Sequence, residues 1–544
     1  MRLRIAAVLA TVATTAQSQS ATDACHADTL TAGFPHRWLS STVGQITIRA
    51  RNVETPDRLA GAVALVHRPT QLDLIASELG FAAGELVDST SILESVRRLR
   101  RTSLFTEVLL VGTQCATPSL TDFTVYTRDA WSIRSDFRTG RFTRFASLSD
   151  VNLWGSGRTL AVRGEESDVR RAVTVSVLDP YLLGTHMRGA LLLRNYADGR
   201  AWNWSVRSRD FTPADVWRGT LLSTQLRRLG DEAATNTHTD IERRTATIAV
   251  SRLVLLRPRA AWALELGAEA ERANIVVLGP GPRLGKSELH RDFAAALVGL
   301  ERRAIAFSSI DWLVPGQAAA ELPIGIDGEM VFGLGHDRAS GALLTHADGW
   351  VGGTARPNRN VVVTGDLWWS GYRTRDSLFN GSLRFKAATY VSARRGIWSA
   401  RVALERLYNP DPDVFALSTS DPMLRTLAPD SRLAESALNV NLERSIHLKT
   451  VDRRWVADAA LFATYSERAR TVGPSAPLPQ RPSAVILGIG LRRVLNQPTQ
   501  APLRLDIGRA IWRSSRLPDR WIIVLSTVPW INSGRMRDGL QDVR

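Results

Sequence analysis

Gly285-Lys286-Ser287 is the tripeptide of this chain that comes nearest to a nucleotide-binding loop. A phosphate cradle of that type needs another glycine five residues before Gly285, and Pro280 stands there instead. The surroundings are a Pro/Gly-rich loop between strands, without the strand-to-helix setting that aims backbone N–H groups at a phosphate. No Gly-x-Ser-x-Gly elbow, His-Glu-x-x-His helix or Cys-x-x-Cys pair occurs. The nine histidines are scattered without metal-ligand spacing. The expectation is a protein that is not an enzyme and has no catalytic residue, cofactor or metal.

The chemistry that remains belongs to arginine. Sixty-nine basic residues face 53 acidic ones, a net charge of +16, and only Lys286, Lys386 and Lys449 are lysine. Such a surplus fits nucleic acid, anionic lipid or an arginine-lined cavity, and GC-rich codon usage also produces it. The basic residues alternate into sheets rather than cluster, which speaks against nucleic acid. No run of about 18 uncharged apolar residues exists, so a membrane could be crossed only with strands.

The elements that must position these side chains fall into regions. Met1-Arg2-Leu3-Arg4, the apolar run Ile5 to Ala13 and the small residues up to Ser18 read as a signal peptide, residues 1–18. In an oxidising compartment Cys25 and Cys115 are most simply one disulfide, with two free thiols as the alternative. After an N-terminal segment, 19–43, comes mixed patterning over 44–130. Gln45 to Arg49 alternates, Pro69 to Leu79 and Ser89 to Arg101 carry helical spacing, and Val108 to Val111 and Phe123 to Thr127 return to strands. That order suits a small α+β domain with helices on one face of a sheet.

From about residue 131 to 531 period-two alternation takes over, as in Val173-Thr174-Val175-Ser176-Val177 and Leu503-Arg504-Leu505-Asp506-Ile507. Alternation fits a soluble β-sandwich as well as a membrane barrel. The length of the run, the arginines on its polar face, and tryptophans near strand ends (Trp154, Trp312, Trp368, Trp369, Trp455, Trp521) favour a transmembrane barrel with aromatic girdles. About 400 residues at ~10 per strand plus turns and outer loops allow roughly 14 to 18 strands. A polar tail, 532–544, follows.

Specific segments then point to a family. Phe81 to Asp88, Ile92 to Arg100 and Leu104 to Val108 together resemble a POTRA domain, the periplasmic module of the BamA/TamA superfamily. Asn152-Leu153-Trp154-Gly155-Ser156-Gly157 and Asp179 to Thr185 resemble that family's early barrel hairpins; Gly488 to Arg492, Leu503 to Gly508 and Trp521 to Trp530 resemble its closing strands. The resemblance implies a fold class of all-β type: an antiparallel transmembrane barrel of about sixteen strands, preceded by one small α+β POTRA domain in the periplasm. It also implies a place in the bacterial outer membrane and a role in inserting or translocating client proteins. The implied partners are unfolded outer-membrane or secreted clients, outer-membrane lipid, and periplasmic or lipoprotein subunits, with no nucleic acid. An alternative is a channel or receptor barrel that keeps the fold without assembly activity.

In the family a loop folds back into the barrel on a Val-Arg-Gly-Phe-like motif. The matching stretch is Met423-Leu424-Arg425-Thr426-Leu427. A guanidinium inside a lumen needs a carboxylate, and alternation places Glu443 inward, so Arg425 and Glu443 are the expected latch. Two positions depart from the pattern: Thr426 replaces the motif glycine, and Thr464 stands where the next strand usually carries an inward aspartate.

Overall fold

The computed structural model describes residues 25–30, 34–53, 67–102, 104–115, 119–139, 143–167, 170–185, 187–208, 217–232, 237–257, 260–278, 287–304, 306–310, 312–313, 320–375, 378–409, 436–451, 455–469, 483–495, 503–513 and 521–527. The signal segment, Gly285-Lys286, Arg425 with Thr426, and the C-terminal tail lie outside the described residues. The chain divides into two compact units, 1–131 with 154–157, and 132–153 with 158–544.

In the first unit, β1 (His26–Thr29), β2 (Thr42–Arg51), β3 (Phe105–Gln114) and β4 (Leu120–Asp129) form a sheet in the order β1-β3-β4-β2. β2 runs parallel to β4, and β3 is antiparallel to β4. Between β2 and β3 lie α1 (Leu72–Ser77) and α2 (Ser89–Arg101). α2 starts where the Asp88 carboxylate accepts hydrogen bonds from the N–H groups of Thr90 and Ser91. Arg98, Arg100 and Arg101 in its last turn complement the negative end of the helix dipole. Ile92, Val96 and Leu99 form its buried stripe and, with buried Leu110, Phe123 and Val125 of the sheet, supply the core. Trp38, fully buried, meets Phe123 edge to face at 5.3 Å. Its indole lies so close to Gly112 that a Cβ at that position would overlap the ring. Cys25 and Cys115 form a disulfide beside the β1–β3 pairing.

The second unit begins with β5 (Ile133–Thr139), β6 (Thr143–Leu153), β7 (Arg158–Ser167), β8 (Arg170–Asp179), β9 (Met187–Tyr196) and β10 (Gly199–Ser208). Longer strands follow: β11 (Trp217–Glu232), β12 (Thr237–Arg257), β13 (Ala260–Leu278) and β14 (Ser287–Ala304). A small hairpin, β15 (Phe307–Ile310) and β16 (Ala320–Pro323), interrupts the series. It resumes with β17 (Gly325–Asp337), β18 (Ala342–Asn358), β19 (Val361–Arg373), β20 (Leu378–Ala393) and β21 (Gly396–Tyr408). It closes with β22 (Ser436–Val451), β23 (Trp455–Ala469), β24 (Ser483–Leu495), β25 (Leu503–Arg513) and β26 (Trp521–Thr527).

Leaving out β15 and β16, these strands form one closed antiparallel barrel of twenty strands in sequence order, β26 returning to β5. The expectation of about sixteen was therefore too small. It reserved residues for connections that the chain does not use: β9–β10, β12–β13, β18–β19 and β20–β21 are each joined by two residues. The strands alternate in direction, so the β12–β13, β18–β19 and β20–β21 turns share the end at which β5 starts, which we call the near end.

Alternation decides the faces. On β25, Leu503, Leu505 and Ile507 are exposed while Arg504, Asp506 and Ala510 are buried. On β22, Val440 and Leu442 are exposed while Asn439, Asn441, Glu443 and Ser445 are buried. The same holds from β7 (Leu160, Val162) through β14 (Val298, Leu300) to β24 (Leu487, Ile489, Leu491). An outer apolar face around a polar interior is the pattern of a transmembrane barrel, since closure leaves no sheet edge in hydrocarbon. No helix among the described residues is long and apolar enough to cross a membrane.

Candidate functional site

A cluster of buried charges lies on the closing strands of the barrel. Glu443 of β22, Arg492 of β24, and Arg504 and Asp506 of β25 are all inward, between 1% and 5% exposed. Arg492 spans the group: Nη1 donates to Asp506 Oδ1 at 2.6 Å and Nη2 to Glu443 Oε1 at 3.1 Å. Arg504 Nε donates to Asp506 Oδ2, and its Nη2 stands 3.8 Å from Glu443 Oε2. Two cations and two anions thus close a ring with both carboxylates bridged, the arrangement that allows buried charge without leaving one unmatched.

Period two and register explain how four separated positions meet. Gly490 faces Asp506 and Arg492 faces Arg504 across the β24–β25 ladder. A Cβ on Gly490 would overlap both Asp506 Oδ1 and Arg492 Nη1, so this glycine is the floor that lets the guanidinium lie flat against the wall. From β22 to β24 the side chain of Arg492 reaches over β23. There Asn441 Nδ2 donates to Thr464 Oγ1 at 2.8 Å, and His447 Nδ1 lies 3.0 Å from Asp458 Oδ1.

Other inward charges are matched in the same way. Arg218 of β11 and Arg303 of β14 both hold Glu301, and Arg384 of β20 holds Glu405 of β21 at 3.0 Å. Glu269 of β13 takes a hydrogen bond from Tyr372 Oη at 2.8 Å and lies 3.1 Å from His346 Nδ1. At the near end the inward wall turns apolar, and the β15–β16 hairpin lies on it: Ile310, Leu313 and Leu322 pack with Val362, Tyr390 and Ile397. Arg356 Nη1 fastens the hairpin through Ser308 Oγ at 2.8 Å. No group of metal-ligating side chains occurs among the described residues. Chemically, the interior braces strands against one another.

Of the residues singled out from sequence, Glu443 faces inward and is held by Arg492 and Arg504. Arg425 lies outside the described residues, so its pairing with Glu443 stays a proposal. Thr464 is buried and hydrogen-bonded to Asn441. Sequence reasoning missed Arg492, Arg504 and Asp506 as partners. Their inward orientation was visible in Leu503-Arg504-Leu505-Asp506-Ile507, but the pairing depends on register across three ladders.

No family model matches the chain, and no curated protein matches it in sequence. Among solved structures it is similar to CdiB from Acinetobacter baumannii, at 13% identity over 90% of this chain and 74% of that one, with a TM-score of 0.40. It is also similar to BamA from Haemophilus ducreyi lacking POTRA domains 1-3, at 11% identity over 89% and 84% of the two chains, TM-score 0.36. A third similar structure is BauA, the ferric preacinetobactin receptor from Acinetobacter baumannii, at 9% identity over 78% and 85%, TM-score 0.37.

Proposed function

We infer that this chain is a bacterial outer-membrane barrel of the BamA/TamA type that assists insertion or translocation of client proteins. On this reading the first unit is a single POTRA domain in the periplasm. The order β2, two helices, β3 and β4, with β1 added on the far side of β3 and β2 at the other sheet edge, supports that reading. An unfolded client adds a strand to such an edge through main-chain hydrogen bonds, as in other cases of strand addition.

The observation that carries the proposal is the seam. β5 and β26, described over seven residues each, meet to close the barrel. Their described register consists of Leu525 with Thr139 and Ser526 with Arg138. A client strand pairing at this seam satisfies backbone groups that hydrocarbon cannot. Its own burial in the bilayer supplies the free energy, so no nucleotide is required.

The test locks the seam. In a Cys25→Ala, Cys115→Ala background, Thr139→Cys and Leu525→Cys are oxidised to a disulfide, and folding of a small unfolded outer-membrane barrel into proteoliposomes is timed. The expected result is acceleration over empty liposomes that vanishes on oxidation and returns with reductant. Acceleration indifferent to the lock would overturn the seam mechanism. No acceleration together with steady conductance would favour the channel reading.

A further inference from the structure

Three descending strands carry the same outward pattern: Ile248-x-Val250-x-Arg252 on β12, Val298-x-Leu300-x-Arg302 on β14 and Val440-x-Leu442-x-Arg444 on β22. The six apolar residues are exposed on the outer wall, and the intervening Ser251, Glu301 and Glu443 are buried inward. Each arginine therefore continues the outer face toward the near end, with exposed Val254, Leu255 and Leu256 beyond it on β12 and Leu448 beyond it on β22. Directly across the ladder from each stands a tryptophan: Trp217 opposite Arg252, Trp262 opposite Arg302 and Trp398 opposite Arg444. The guanidinium carbons lie 5.1, 5.6 and 5.2 Å from the respective ring centroids. Trp217 opens β11, and Trp262 and Trp398 stand two residues into β13 and β21, so all three tryptophans lie at the near-end start of their strands.

These arginines differ from those inside. Arg218, Arg492 and Arg504 each hold a carboxylate. Among the described residues, Arg252, Arg302 and Arg444 form no ion pair. Arg302 Nη1 donates to the Ile326 carbonyl, and Arg444 Nη1 is buried with no hydrogen-bond partner. A guanidinium stays charged at any relevant pH, and with no described carboxylate on these three an anion from the surroundings can serve as countercharge. The indole faces hold the cation by cation–π attraction and sit at the depth where aromatic rings meet headgroups. A phosphodiester is the acceptor that matches the guanidinium fork. A choline headgroup brings its own cation; an anionic one does not.

We propose that Trp217–Arg252, Trp262–Arg302 and Trp398–Arg444 are headgroup sites that bind the phosphate of anionic glycerophospholipid in the leaflet at the near end. The proposal rests on the barrel spanning a membrane and is independent of any assembly activity.

The test reconstitutes the full chain into nanodiscs of mixed phosphatidylcholine and phosphatidylglycerol, extracts it mildly, and measures the retained lipids by native mass spectrometry. The wild-type chain should retain phosphatidylglycerol in excess of its share of the disc. Each Arg→Gln change should lower affinity at its site roughly fivefold, from the contribution of one arginine near an anionic surface. The triple change R252Q/R302Q/R444Q should bring the retained ratio down to that of the disc, while a heat-modifiable gel band reports an intact barrel. Enrichment that survives the triple change overturns the proposal. So does absence of enrichment in a wild-type barrel that has inserted, which leaves the transmembrane reading standing. A wild-type chain that never enters the discs overturns both.

Discussion

Arg492→Met is the most direct test of the ring on the closing strands. Arg492 is 1% exposed and donates to two carboxylates, at 2.6 and 3.1 Å. Without it Glu443 and Asp506 lose the guanidinium that bridges them, while Arg504 still faces both. Removing one partner of a buried pair costs about 3–5 kcal/mol, and the residual contact to Arg504 places this case near 3. Glu443→Gln takes a carboxylate away from Arg492 and Arg504 and should cost about 2–3 kcal/mol by the same reasoning. The double variant removes one charge of each sign and leaves Arg504 with Asp506, a matched pair. Its loss should be about 3 kcal/mol instead of the 5–6 that additivity requires, a coupling of about 2–3 kcal/mol. Urea unfolding of the barrel in vesicles, followed by tryptophan fluorescence and by the heat-modifiable gel shift, measures all four corners of the cycle. Additivity to within about 0.5 kcal/mol would refute the ring as a coupled unit.

Gly490→Ala places a methyl group where Asp506 Oδ1 and Arg492 Nη1 now lie; overpacking of this kind costs about 1–3 kcal/mol, and the same urea titration should show it. In the first unit, burial alone would raise the Asp88 pKa, but hydrogen bonds from Ser91 and Thr90 outweigh it and hold the carboxyl below its ordinary value. The cap therefore contributes fully above the unfolded pKa near 3.9 and is lost as pH falls through the folded value, so exchange protection of residues 88–101 should drop at acid pH in the wild type and less in Asp88→Asn. Asp88→Ala should cost about 1 kcal/mol at neutral pH. Cys25→Ala with Cys115→Ala opens a closure between residues 90 apart in sequence and should destabilise the first unit by about 2–5 kcal/mol, read as faster proteolysis of 25–130 with the barrel band unchanged.

The faces of the barrel were legible from local pattern, because a period of two puts every second residue on one side whatever the fold. Leu503-Arg504-Leu505-Asp506-Ile507 announces its inward and outward members without any neighbour. The number of strands was not, since it depends on how few residues each connection takes, and a two-residue turn such as Arg359-Asn360 leaves little trace between two alternating runs. Tryptophans were a poor guide to depth for a similar reason. Trp368 shares the inward face with Tyr372 and Arg384, and Trp312 belongs to the β15–β16 hairpin segment. Trp217, Trp262 and Trp398 stand out only once the ladder sets each opposite an arginine. In the first unit, helical spacing located α2, whereas β1 became a strand through pairing with β3, a long-range contact that its four residues do not announce.

The ring and the seam belong together physically. Arg492, Arg504, Glu443 and Asp506 tie β22, β24 and β25 into a braced panel. Beyond that panel stands β26, joined to β25 by the ladder from Leu503–Thr527 to Arg509–Trp521. A disturbance at the β26–β5 closure therefore stops at β25, because going further must break buried ion pairs as well as hydrogen bonds. Opening the closure in hydrocarbon exposes N–H and C=O groups that no water can satisfy, at several kcal/mol each. An empty open seam is accordingly unstable, and it becomes accessible when an incoming strand supplies the missing partners. On the proposed reading, a client strand would pair at the closure while the ion-paired panel of β22, β24 and β25 keeps the wall from unravelling.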